Sequence, residues 1–154
     1  MSKRTGIRKK TIICGNGGSA SDALHFAAEM VNRFEKNRGT LASIALSENI
    51  STITAIGNDF SYDCIFRHQL EAFAQKGDIF IAISTSGKSP NIIKAPDVAK
   101  QLSIFTIGFT NSDGRKMKDI CDYAIRSIKS YCKNTGMPHT FNTHHYKNCR
   151  RKIF

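Results

Sequence analysis

The sequence predicts an α/β fold, a three-layer sandwich in which helices cover both faces of a parallel β-sheet. Three observations predict it. Short apolar runs recur along the chain without a polar face, as strands buried from both sides do. Segments of helical periodicity alternate with them. Two Gly/Ser-rich loops, "GNGGSAS" and "STSGKS", each follow one of these runs. Parallel sheets hold their ligands there, beyond the carboxyl ends of the strands.

The elements follow in order. "KTIIC" is a short apolar run ended by Gly15 and reads as a strand. From Ser19 to Phe34, apolar residues at Ala23, Phe26, Ala27, Met30 and Phe34 keep a helical spacing. "LASIALS" is a second strand. "FSYDCIFRHQLEAFAQKG" is helical, with Ile65, Leu70 and Phe73 turned inward and Gly77 as its stop. "DIFIAIS" is the clearest strand and is entered at Asp78. "SPNIIKAPDVAKQL" is helical, and Pro90 suits its first turn. Pro96 lies inside that helix, where proline costs about 3 kcal/mol, so the helix either kinks or divides there. "SIFTIGF" and "DYAIRSI" are the last two strands.

The totals bound the class. A chain of 154 residues is one domain with a real core. Its net charge of +11 first suggests nucleic acid. Residues 11–128, however, hold 12 basic and 12 acidic side chains, so the excess lies in the two ends. Basic ends without a motif are weak evidence, and no nucleic-acid partner is expected. No apolar run approaches the roughly 20 residues that span a bilayer, and the start "MSKRTGIRKK" lacks the apolar core of a signal peptide. The expectation is a cytoplasmic protein without a membrane partner. Cys14, Cys64 and Cys121 read as buried thiols, and five cysteines with no CxxC pair argue against a disulfide framework.

Residues 129–154 stand apart. They carry six cations, three histidines and no acid, with no lasting period. The spacing of Cys132, His139, His144, His145 and Cys149 matches no common zinc module. The organisation expected is a basic stub at 1–10, one domain at 11–128 and an aberrant tail at 129–154.

Chemistry concentrates in the two loops. In "STSGKS", Ser84, Thr85, Ser86 and Ser89 place four hydroxyls in six residues after a core strand and before a helix, which suits a phosphate dianion. The spacing is not that of a nucleotide P-loop, and the alternative is a simple helix cap. In "CGNGGSASD", Gly17 and Gly18 let the backbone approach a ligand, while Asn16 and Ser19 offer polar contacts. His25 and Glu29 are four apart on one helical face, a spacing for a base with a polariser, for two metal ligands, or for a solvated pair. In "GNDF", Asp59 stands near an expected helix start, where a simple helix cap is the alternative.

Together, "CGNGGSASDALHFAAEMVNRF", "GNDF" and "ISTSGKSPNIIKA", in this order and spacing, closely resemble the phosphoheptose isomerases, a branch of the sugar isomerase (SIS) group. The resemblance runs from about Thr11 to about Ile128. "STSG" alone indicates the wider group, and the segment from Gly15 to Glu29 narrows it to the heptose branch. The resemblance implies a five-stranded parallel, flavodoxin-like sheet and a homotetramer with sites at subunit contacts. It implies an aldose–ketose isomerisation of sedoheptulose 7-phosphate to D-glycero-D-manno-heptose 7-phosphate, the first step of ADP-heptose and lipopolysaccharide core synthesis. Ser84, Thr85, Ser86 and Ser89 would hold the phosphate. Asn16, Gly17, Gly18 and Ser19, with Asn58 and Asp59, would line the sugar. Glu29 would be the catalytic acid/base, and His25 and Glu29 would be zinc ligands. A non-catalytic SIS module that binds a sugar phosphate is the rival.

The chain departs from the family pattern at both ends. Family members carry a helical segment before the first strand, and ten residues precede "TIIC" here. They also end on a helix reading Q-E-x-H, four residues, then His. Back-translated with A/T-rich codons and read from the second base, Tyr131 to Lys152 becomes "IAKIQECHTLLIHIIIKIVEE", which has that pattern. The tail is therefore expected to be frameshifted. As written the chain would lack two further zinc ligands and the second acid/base, and its activity and assembly would be impaired.

Overall fold

The structure, a computed structural model, describes residues 9–32, 37–110 and 115–126. Residues 1–8 of the stub, Phe34 and everything from residue 127, including the whole tail at 129–154, lie outside the described residues, so the frameshift expectation does too. Five strands form one sheet: β1 (Lys10–Gly15), β2 (Ala42–Ala45), β3 (Ile79–Ile83), β4 (Phe105–Thr110) and β5 (Tyr123–Arg126). Their order is β2-β1-β3-β4-β5 and every pairing is parallel. All five expected strands are present. The order reverses between β1 and β3, where sheets of this order open a crevice for ligands.

Six helices are described: α1 (Gly18–Val31), α2 (Ile50–Asp59), α3 (Ile65–Phe73), α4 (Pro90–Ile93), α5 (Ala95–Gln101) and α6 (Arg115–Ile120). A single 3-10 turn, Tyr62–Cys64, leads into α3. The two-residue period of the strands divides the core. Ile12, Cys14, Phe80 and Ala82 point to one face, under α3, α4, α5 and α6. Ile13, Ile81, Ile83, Ile107 and Phe109 point to the other, where Ala23, Phe26, Ala27 and Met30 of α1 pack on them. Neighbouring residues of one strand thus serve opposite layers, which is why the strands read as continuously apolar.

Four local expectations need correction or completion. The helix carrying Pro96 divides: α4 ends at Ile93 and α5 begins at Ala95, with Pro96 in the first turn, where no backbone N–H is needed. Phe73 is not inward but half exposed at the end of α3. Asp59 stands three residues before the 3-10 turn that leads into α3, as expected, but it also closes a helix not expected from the sequence, α2, which begins at Ile50. Asn49 caps that helix, its Oδ1 accepting from the Thr52 N–H at 3.0 Å. Cys14 and Cys121 are buried as expected, whereas Cys64 is half-buried. Burial pushes the Cys14 thiol well up and the Cys121 thiol up to about 12, so both stay protonated and inert.

At the opposite end of the strands an ion pair pins β1 to β3. Asp78, with no exposed side-chain surface, accepts from Lys10 Nζ at 2.7 Å, from the Lys10 N–H at 2.9 Å and from the Gln75 N–H at 2.9 Å. Burial alone would raise its carboxyl pKa, but these bonds and the Lys10 charge outweigh it and hold it below the usual carboxylate range. No described helix is long and apolar enough to cross a membrane.

Candidate active site

The parallel register places the two loops side by side. Gly15 is the partner of Ile83 across β1 and β3, so Asn16 and Ser84 leave adjacent strands at the same level. Gly15 is required there. A Cβ on it would lie 2.3 Å from the Ser19 carbonyl oxygen and 2.5 Å from the Ser19 carbonyl carbon, both backbone atoms. Gly17 follows with a φ of 53°, a conformation that glycine adopts without penalty, and the chain turns directly into α1. Ser47, after β2, donates to the Gly15 carbonyl at 3.1 Å and steadies the turn.

The hydroxyl loop is a tight turn. The Gly87 N–H donates to the Ser84 carbonyl at 3.0 Å, with Gly87 at a φ of 62°. The Ser84 N–H donates to the carbonyl of Phe109, on the neighbouring strand, at 2.9 Å. Ser84 is buried and Ser89 half-buried, and their hydroxyls lie 3.5 Å apart, while Thr85 and Ser86 are described by the turn that carries them. Ser89 stands at the start of α4 but makes no side-chain cap bond. Its hydroxyl faces Ser84 rather than the helix end, which weakens the simple-cap alternative.

Two side chains that the sequence did not single out join these loops. Asn91, on α4, and Asn16 form a reciprocal amide pair: Asn16 Nδ2 donates to Asn91 Oδ1 at 2.8 Å, and Asn91 Nδ2 donates to Asn16 Oδ1 at 2.9 Å. The Tyr62 hydroxyl donates to the same Asn16 oxygen at 3.3 Å. No sequence signal marks a pair 75 residues apart. Asn58 and Asp59 are exposed at the end of α2, where Asn58 Nδ2 donates to Asp59 Oδ1 at 2.8 Å.

His25 and Glu29 are on α1, with His25 Nε2 3.9 Å from Glu29 Oε1. The histidine is exposed and the carboxylate half-buried. Glu29 is eleven residues beyond Gly18, about 16 Å along the helix at 1.5 Å per residue. The structure therefore does not gather Glu29 into the glycine turn. Arg38 secures this end of the helix, donating to the Glu29 carbonyl at 2.7 Å and to the Met30 carbonyl at 2.9 Å. Zinc takes three or four protein ligands. Among the described residues no cluster of three His, Cys, Asp or Glu side chains forms, so His25 and Glu29 supply two of the three or four ligands a zinc site needs.

The SIS domain family model matches residues 6–111, which include both loops, α1 and α2. The chain belongs to the SIS domain family. Within that family it is similar to phosphoheptose isomerases. It is 52% identical over 118 residues to the phosphoheptose isomerase of a Nitratiruptor species, covering 77% of this chain and 63% of that one. It is 54% identical over 113 residues to that of Aliarcobacter butzleri, covering 73% and 60%. Among solved structures, phosphoheptose isomerase GmhA from Neisseria gonorrhoeae superposes with a TM-score of 0.70 at 38% identity, covering 79% of this chain and 66% of that chain. The chain thus spans about three-fifths of the length of the curated relatives it matches. Its five-stranded parallel sheet is the α/β fold of the SIS family.

Proposed function

We propose that this chain carries the sugar-phosphate site of a cytoplasmic phosphoheptose isomerase, which interconverts sedoheptulose 7-phosphate and D-glycero-D-manno-heptose 7-phosphate for ADP-heptose and lipopolysaccharide core synthesis. One observation carries the reading. The glycine loop and the hydroxyl loop meet at the β1/β3 crevice, Gly15 level with Ile83, in an SIS chain about half identical to phosphoheptose isomerases.

In this reading Ser84, Thr85, Ser86 and Ser89 donate hydroxyl hydrogen bonds to the phosphate. Asn16, Gly17, Gly18, Ser19, Asn58 and Asp59 line the sugar. From ketose to aldose the isomerisation moves one proton from C1 to C2 and one from O1 to O2, through an enediol. Glu29 carries the carbon-bound proton, as a carboxylate that accepts it from one carbon and returns it to the other. No step is assigned to zinc, since the described donors fall short of a site. Assembly as a homotetramer belongs to the same proposal. It is supported by α2, which has no fully buried residue, and by the neighbouring Phe60, 66% exposed.

A second reading, a sugar-phosphate-binding SIS module without turnover, is favoured by one observation: among the described residues, His25 is the one ionisable side chain paired with the Glu29 carboxylate. One experiment separates the two. The chain is titrated with sedoheptulose 7-phosphate by calorimetry, and the aldose product is followed by NMR. Binding with turnover that Glu29→Gln abolishes supports the isomerase. Binding without turnover supports the module. Absence of binding overturns both.

A further inference from the structure

We propose that Asn91 is a positioning residue that holds the Asn16 amide against the sugar and makes the two ligand loops one unit. The inference rests on the sugar-phosphate reading above. Asn91 is 1% exposed, so it is withdrawn from any ligand in solution. Asn16 is half-buried at the mouth of the crevice. The two bonds between them, at 2.8 and 2.9 Å, close a ring that fixes rotation as well as separation, which a single hydrogen bond does not.

The chemistry of the pair gives it a direction. Each amide nitrogen carries two hydrogens, and the ring uses one of each. Asn16 Oδ1 is already occupied by Asn91 and by the Tyr62 hydroxyl. What Asn16 keeps for a ligand is its second N–H, a donor suited to a sugar hydroxyl or carbonyl oxygen. Burying an amide such as that of Asn91 is unfavourable unless it is paired, so its place on α4 is explained by the partner it holds. Asn91 also follows Ser89 by two residues, so the element that presents the phosphate hydroxyls is the one that orients the sugar contact.

The test uses two ligands. Inorganic phosphate needs only the hydroxyl loop, whereas sedoheptulose 7-phosphate needs both loops. Asn91→Ala is expected to weaken sedoheptulose 7-phosphate binding about tenfold and to leave phosphate binding within about twofold, the loss of one neutral hydrogen bond to the sugar. Asn16→Ala is expected to do the same. The double variant Asn16→Ala/Asn91→Ala leaves neither amide unpaired and is expected to bind no more weakly than Asn16→Ala alone. This comparison decides the matter even if Asn91→Ala fails to fold. Loss of both affinities together in folded Asn91→Ala, no loss of either, or a double variant well below Asn16→Ala overturns the positioning role. Failure of the native chain to bind sedoheptulose 7-phosphate at all overturns the reading beneath it.

Discussion

Replacing Asp78 by alanine removes the acceptor that joins the starts of β1 and β3. Two part-buried backbone donors, the N–H groups of Lys10 and Gln75, lose their bonds. Each such loss costs about 1–3 kcal/mol. The Lys10 ammonium, on a side chain that is 19% exposed, can turn to water and adds little. The total is about 2–6 kcal/mol, which brackets the range for breaking a buried ion pair. For a chain of this size each kcal/mol shifts Tm by about 2–4 °C, so a fall of about 10 °C is expected at pH 7. Because the native pKa of Asp78 is depressed, its stabilisation is fully present above the unfolded carboxylate pKa of about 4. It is lost as pH falls through the lower native value. Thermal melts of the native chain and of Asp78→Asn, which keeps the shape and removes the charge, should therefore converge as pH is lowered below about 4. A Tm change under about 3 °C for Asp78→Ala at pH 7, or an undiminished gap between native and Asp78→Asn in acid, refutes the reasoning. Ligand affinity should be spared in either folded variant, since Asp78 stands at the opposite end of the strands from both loops.

Further predictions concern the loops and the tail. Gly15→Ala drives a Cβ to 2.3 Å from a backbone oxygen, so α1 must shift. A stability loss of about 1–3 kcal/mol in denaturant melts is expected, with sugar-phosphate binding weakened further than stability. Unchanged binding would show that the turn yields without consequence. Ser84→Ala should leave Tm nearly unchanged, because its hydroxyl is 3.5 Å from that of Ser89, at the limit of hydrogen bonding. It should weaken inorganic phosphate by about tenfold or more in calorimetry, the value of a hydrogen bond to a charged group, and an unchanged Kd removes Ser84 from the phosphate site. Restoring the shifted frame from codon 131 should raise turnover at least about 10²-fold, the value of one acid/base group. Equal turnover in the two chains sinks the frameshift expectation.

The strands and both ligand loops were legible because each has a local cause. A buried parallel strand is apolar on both faces, as "IFIAI" is, and a close backbone approach needs glycine, as at Gly15. The α2 helix was not legible. Its sequence "ISTITAIGND" is rich in β-branched residues and contains a glycine, both poor helix formers. It forms because Asn49 caps it and because Ile53 and Ile56 pack against the core from a position that only the assembled sheet supplies. Pro96 was legible as a break without a direction. The structure resolves it as the first turn of a new helix, with Ala95, Pro96 and Val98 buried.

By itself the sequence determined the α/β class, the five strands and the residues of the two loops, since periodicity and glycine act through the neighbouring backbone. The tertiary structure alone decided the order β2-β1-β3-β4-β5, and the order is what makes β1 and β3 neighbours. That adjacency sets Gly15 level with Ile83 and brings Asn16 to Asn91 across 75 residues. The assembled sheet also supplies the face on which Ala23, Phe26, Ala27 and Met30 of α1 pack. Local periodicity carries no information on which strands will pair. The pairing is settled by which faces can be buried together, and the site is a consequence of that choice.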